Sequence, residues 1–182
     1  MRTVPSAAPH RIVIKHRLTC VTLFAREKGA GLAVAGILFG RHGTPRGRKG
    51  ARAADPRLRR WASLIGDFLS GNAESLDELP IDLSGNTPFA EAVLLACRSI
   101  PYGATVSYAR LAALAGRPKA IRAAASVMRD NPFPLAIPCH RVIAKDGTLG
   151  GFMGARKGKP LGIKKALLDL EKEVSKKRAP GK

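Results

Sequence analysis

Four consecutive residues, Pro138-Cys139-His140-Arg141, concentrate the reactive chemistry of this chain. A thiol set beside an imidazole and a guanidinium becomes a nucleophile when those neighbours favour the thiolate. Free cysteine is also among the most buried residue types, so a packed apolar sulfur is the competing reading. The tetrapeptide alone leaves both open. The apolar run 135–137 ahead of it reads as a buried strand that Pro138 stops. Downstream, Lys145-Asp146-Gly147 signals a turn, and Gly150-Gly151 lets the backbone approach a neighbour or ligand closely.

The rest of the composition narrows the class of protein. Cys20, Cys97 and Cys139 cannot all pair, and none lies in a CxxC arrangement. With no secretory signal, a reducing intracellular compartment and a free thiol are expected. The four histidines show no metal-ligand spacing with these cysteines, which argues against structural zinc, and no cofactor motif is present. No apolar run approaches the ~18 residues of a membrane span, so a soluble protein without a membrane partner is expected. The formal net charge of +19 points to a polyanion, because each Lys or Arg set against a phosphate releases counterions.

The elements that must hold the thiol follow from periodicity. Residues 1–26 carry no acidic side chain, as in an organellar transit peptide, but 17–25 alternates as a strand does. With the apolar run 31–40 it predicts an antiparallel pair around Lys28-Gly29-Ala30. Residues 41–54, rich in Arg and Gly, read as a solvated loop. Asp55-Pro56 starts a helix whose buried face is Leu58, Trp61, Ile65 and Phe68, closed by Ser70-Gly71-Asn72. Residues 72–86 are acidic and turn-rich with a short apolar segment at 79–83. The boundary between two units is placed there. Thr87-Pro88 starts the next helix, with Phe89, Val93 and Cys97 on one face, so Cys97 reads as core.

Pro101-Tyr102-Gly103 is a turn, Ser107 caps a short helix from Tyr108 to Leu114, and 115–118 break it. A second helix over 119–129, stopped before Pro132, completes a helix-turn-helix pattern. Its buried stripe is predicted as Ile121, Ala125 and Met128, and much of the remainder is alanine. It offers chiefly Arg122, with Lys119 and Arg129 near its ends. Such a surface approaches a groove and holds phosphates, yet reads little sequence. A groove-approaching helix followed by a poised cysteine is what chemistry on an extruded base requires. Direct displacement onto sulfur needs no metal or cofactor. Finally, 161–174 returns to helical periodicity through Ile163, Leu167, Leu168 and Leu170, and residues 175–182 form a basic tail expected to be disordered.

Together the motifs IPYGATVSYARLAALAG, RPKAIRAAASVMRDNP, IPCHRVI and GTLGGF resemble the O6-alkylguanine-DNA alkyltransferases (methylated-DNA–protein-cysteine methyltransferases). The likeness runs from about Phe89 to Glu171; the N-terminal portion is similar only in outline. It implies an α/β (α+β) fold: a small antiparallel sheet domain over 1–84, ribonuclease-H-like in the family, then a mainly helical, winged-helix-like domain with a helix-turn-helix over 85–174. It implies a monomeric, single-use DNA repair protein, cytoplasmic and nucleoid-associated or nuclear. The partner implied is double-stranded DNA carrying O6-methylguanine, with O4-methylthymine as a second lesion.

By that resemblance Cys139 accepts the alkyl group, His140 helps deprotonate it through a water, and Glu171 orients His140. Asn131 ties the helix-turn-helix to the active-site loop. Arg122 enters the duplex where the flipped nucleotide was, Tyr108 crowds that nucleotide's phosphate, and Lys119, Ala123 and Arg129 meet DNA. Met128 lines the alkyl pocket, while Val142, Gly150, Phe152 and Met153 contact the base. Phe152 and Met153 depart from the tyrosine and small polar residue frequent in the family, Ile121 is bulkier than the usual alanine, and 156–160 reads as a basic insertion. Arg141 reads as structural support. Two rivals remain: a DNA-binding protein that recognises alkylated bases or regulates transcription without transfer, and a thiol hydrolase on Cys139.

Overall fold

The computed structural model describes residues 10–39 and 55–178, in a chain that divides into two compact units, Met1–Asp82 and Leu83–Lys182. The Arg/Gly-rich stretch 41–54 lies outside the described residues.

In the first unit β1 (His10–Lys15), β2 (Cys20–Lys28) and β3 (Gly31–Phe39) form an antiparallel sheet in that order. β2 and β3 are the pair expected around Lys28-Gly29-Ala30, where Gly29 takes the left-handed conformation the tight turn needs. β1, which the alternation did not single out, adds along the outer side of β2. The helix α1 (Pro56–Ser70) starts where Asp55 accepts the Arg57 N–H at 2.8 Å and ends at left-handed Gly71. Its buried face is the expected Leu58, Trp61, Ile65 and Phe68, joined by Leu69. The apolar segment near residue 80 runs beside β3, with Val34 N–H donating to Pro80 and Asp82 N–H to Val34. Asp82 is buried and takes both Arg26 and Lys28 as ion-pair partners.

The second unit contains α2 (Pro88–Arg98), β4 (Val106–Ser107), α3 (Tyr108–Leu114), α4 (Ile121–Asp130), β5 (Val142–Ile143) and α5 (Lys159–Arg178). Thr87 and Ser107 cap α2 and α3 by accepting the Ala90 and Arg110 N–H groups. The parallel pairing of β4 with β5, Val106 opposite Val142, brings the start of α3 against the segment that follows Cys139.

Three expectations need correction. Residues 135–137 are not a strand: the Ile137 N–H donates to Phe133 and Leu135 has φ of 75°, so the chain makes a tight turn. A three-residue apolar run cannot distinguish the two, and the prolines at 132 and 134 disfavour extended pairing. The buried stripe of α4 is Ala124 and Met128, one helical turn apart, while Ile121 stands exposed. Residues 175–178 are helical rather than disordered. Lys176, Lys177 and Arg178 suit the negative end of the α5 dipole, and Lys177 pairs with Glu173 four residues back.

Candidate active site and nucleic-acid interface

Cys139–Arg141 form one 3-10 turn behind Pro138, closed by the Arg141 N–H on the Pro138 carbonyl at 2.9 Å. Three residues per turn send three consecutive side chains in different directions. Cys139, 4% exposed, lines a cavity of about 920 Å³, while His140 and Arg141 are buried and meet Glu171 of α5. Tyr108, Met128 and Arg129 share the cavity wall, with Gly150, Phe152 and Met153 across from them.

Glu171 is the hub behind the thiol. One of its oxygens accepts from His140 Nε2 at 2.8 Å and the other from the Gly103 N–H at 3.0 Å. Arg141 donates to both oxygens, from Nε at 3.1 and 2.9 Å and from a terminal nitrogen at 2.9 Å. The remaining terminal nitrogen donates to the Ile100 carbonyl at 2.6 Å, and the guanidinium carbon lies 5.4 Å from the centre of the Tyr102 ring. Burial alone would raise the Glu171 carboxyl, yet His140 and Arg141 outweigh it and hold it well below the usual carboxylate range. Burial also lowers His140, against the pull of Glu171, and keeps the ring neutral near pH 7. A carboxylate only accepts, so the neutral ring carries its proton on Nε2 and leaves Nδ1 as a lone pair. That Nδ1 is buried and has no hydrogen-bond partner among the described residues.

Backbone groups around the cavity are pinned from below. Lys164, fully buried on α5, donates Nζ to the carbonyls of Val142, Leu149 and Gly151 at 2.6, 2.7 and 3.2 Å. Desolvation lowers its ammonium to about 8, although proximity to Cys139 and Cys97 pulls the other way. Lys164, Leu167 and Glu171 are spaced three and four apart, so two opposite charges share the buried face of α5. Sequence reasoning passed over Lys164, and that spacing was the signal for it. Asn131, fully buried, donates Nδ2 to the Ile137 carbonyl and accepts the Phe133 N–H, both at 2.9 Å, which fixes the turn leading into Cys139. The turn after Gly151 is closed on itself: Phe152 and Ala155 exchange N–H bonds at 2.9 Å across Met153 and Gly154, both at positive φ. The Phe152 N–H is therefore engaged within this turn, while Phe152 itself lines the cavity.

Lys119, Arg122 and Ala123 lie outside the cavity lining, exposed at and before the start of α4. Arg129, also exposed, pairs with Asp130 at 2.9 Å. Gly103 holds the turn against α5 at φ of 75°, where an added Cβ would sit 2.4 Å from Ser175 Oγ.

The two buried groups that titrate in acid, His140 and Glu171, give acid stability one sign. Lowering His140 below its ordinary 6.5 means the unfolded chain takes up that proton first, so stability falls as pH drops through 6.5. The Glu171 contribution is complete above the ordinary 4.5 and is lost as pH falls towards its lower native value. The urea midpoint should therefore fall continuously from pH 7 to pH 4. A flat or rising midpoint across that window would contradict the assignment.

Comparison with known proteins meets this geometry at the same residues. Residues 88–173 match the family model described as 6-O-methylguanine DNA methyltransferase, DNA binding domain. A methylated-DNA–protein-cysteine methyltransferase of Methanothermobacter thermautotrophicus is 43% identical over 57% of this chain and 55% of its own length. The constitutive one of Bacillus subtilis is 37% identical over 64% of this chain and 67% of its own. The chain thus spans about half the length of the first of these relatives. The solved structure of Mycobacterium tuberculosis O6-methylguanine methyltransferase is 30% identical, superimposes with a TM-score of 0.71, and matches 95% of this chain and 96% of that one. Mycobacterium tuberculosis OGT in complex with DNA matches with a TM-score of 0.70 at 30% identity, over 91% and 94% of the two chains. No helix among the described residues is long and apolar enough to cross a membrane. The chain belongs to the O6-methylguanine DNA methyltransferase family.

Proposed function

We propose that this protein repairs duplex DNA by moving the alkyl group of O6-methylguanine onto Cys139, once per chain and as a monomer. The observation that carries the reading is the buried His140–Glu171–Arg141 network one residue from a thiol that lines a cavity large enough to admit a base. Neutral His140, its Nε2 proton held by Glu171, draws the Cys139 proton through a water at Nδ1. The imidazolium that forms is stabilised by the carboxylate behind it. The sulfur attacks the methyl carbon, an S–C bond forms, and the C–O bond breaks with its electron pair left on guanine. A proton taken up by the base restores its keto form. A thioether has no leaving group of comparable ease, so the protein is consumed.

Outside the cavity, α3 and α4 serve as the helix-turn-helix that docks on the duplex. Lys119 and Arg129 hold phosphates, Ala123 permits close approach, and Arg122 fills the stack once the nucleotide is extruded. Tyr108, whose phenol burial raises and so keeps neutral, crowds the flipped nucleotide at the cavity edge. Met128 lines the alkyl pocket, and the Val142 and Gly150 backbone with the Met153 turn frames the base. Asn131 ties α4 to the acceptor loop. The division into a sheet unit over 1–84 and an acceptor unit over 85–174 belongs to the same reading.

Duplex carrying methyl-labelled O6-methylguanine tests it. One equivalent of label per chain is expected on the Cys139 peptide, and none in Cys139→Ser. Label that stays on DNA bound by the protein would leave only a lesion-recognising binder. Release of labelled product with turnover would favour a hydrolase.

A further inference from the structure

Ile121, the first residue of α4, is 41% exposed although it is a large apolar side chain. A single surface isoleucine is ordinary, but its setting is not. No acidic side chain occurs between residues 99 and 129, and Arg110, Arg117, Lys119, Arg122 and Arg129 are all exposed there. Nor does the helix itself select it. Isoleucine supports a helix less well than alanine does, and the Ala120 cap makes no side-chain hydrogen bond. An exposed apolar residue with Lys119 and Arg122 beside it in sequence, in a stretch without acidic side chains, complements a surface of base edges framed by phosphates.

We propose that Ile121 is an apolar wedge that enters the DNA groove beside Arg122 and packs on the partly unstacked base step next to the lesion. The inference rests on the alkyl-transfer reading above. Both residues belong to the first turn of α4, and a helix is only ~10 Å across, so docking that inserts Arg122 carries Ile121 to the duplex. Arginine supplies charge and hydrogen bonds to the opened stack; isoleucine supplies surface from which water is expelled. Apolar side chains of this size are what groove-binding proteins use to hold a kinked step open. The neighbouring Ala123, also exposed, offers no side chain that would hold the helix away.

The test compares binding of duplex carrying O6-methylguanine, as a function of salt, with the reaction of free O6-benzylguanine. Ile121→Ala is expected to weaken duplex binding about tenfold, the scale of removing one apolar side chain from a buried contact. The slope of log affinity against log salt should stay that of the parent protein, because no phosphate contact is lost. Ile121→Met keeps a wedge and should stay within about threefold of the parent protein. Leu95→Ala, on the exposed face of α2, should change neither quantity, and all three variants should react normally with free O6-benzylguanine. Unchanged affinity in Ile121→Ala, a shallower salt slope, or an equal loss in Ile121→Met would each overturn the wedge. If the parent protein moves no label from duplex DNA, the alkyl-transfer reading fails instead, so the two failures are read separately.

Discussion

Glu171→Ala is expected to destabilise the protein by about 3–5 kcal/mol, the usual consequence of stranding one member of a buried ion pair. The magnitude follows from what the carboxylate satisfies. It takes three contacts from Arg141, the ring proton of His140 and the Gly103 N–H, and all but the last come from fully or nearly buried side chains. Removing it leaves a guanidinium in the interior whose remaining partners among the described residues are the Ile100 carbonyl and the Tyr102 face. Since ordinary domains hold only ~5–15 kcal/mol in reserve, the variant should be close to unfolding at 37 °C. Glu171→Gln should recover little, because its amide nitrogen must point at one of these donors. Changing Arg141 and Glu171 together to Met should be milder than Glu171→Ala, since no charge is then stranded. Urea denaturation measures all three. A loss below about 1 kcal/mol for Glu171→Ala would mean that water reaches the pair and that the network is not the frame of the site.

Arg122→Ala should slow transfer from duplex DNA by about a hundredfold while leaving the reaction with free O6-benzylguanine within about twofold. Extruding a nucleotide costs a few kcal/mol of stacking and pairing, and a side chain that occupies the vacancy offsets part of it. Free base carries no such cost. Because Arg122 is exposed and lies outside the cavity lining, its removal should not disturb Cys139 or Met128. Single-turnover rates on the two substrates decide the matter, and an equal loss on both would remove Arg122 from base extrusion.

What the sequence revealed and what it hid differ by the range of the interactions involved. Asp55, Thr87 and Ser107 start their helices as expected because a cap is decided within three residues. The β2–β3 hairpin was legible for the same reason. The turn at 133–137 was not, because its shape is set by the Asn131 side chain and by Leu135 at positive φ, neither of which leaves a hydrophobic period. The tetrapeptide left Cys139 open between a packed and a reactive sulfur, and only the fold sets it in a cavity wall with His140 turned to Glu171. Glu171 gained a role only through the family resemblance, and Arg141 read as structural support. Lys164 was overlooked altogether. Its function depends on three carbonyls that lie 13 to 22 residues away along the chain. Buried charges pair across the fold, and one-dimensional patterns record only the spacing that makes such pairing geometrically open.

The carboxylate of Glu171 also merges two quantities that are normally assayed apart. It fixes the imidazole next in sequence to the Cys139 thiol and, through Gly103, the turn against α5. A molecule in which this part opens loses its reactive sulfur environment in the same event. Titration with free O6-benzylguanine should then report the number of intact molecules in a preparation, chain by chain. Heat or acid inactivation measured in this way becomes a census of conformers, and an aged sample should show fewer acceptors of full reactivity rather than uniformly slower ones.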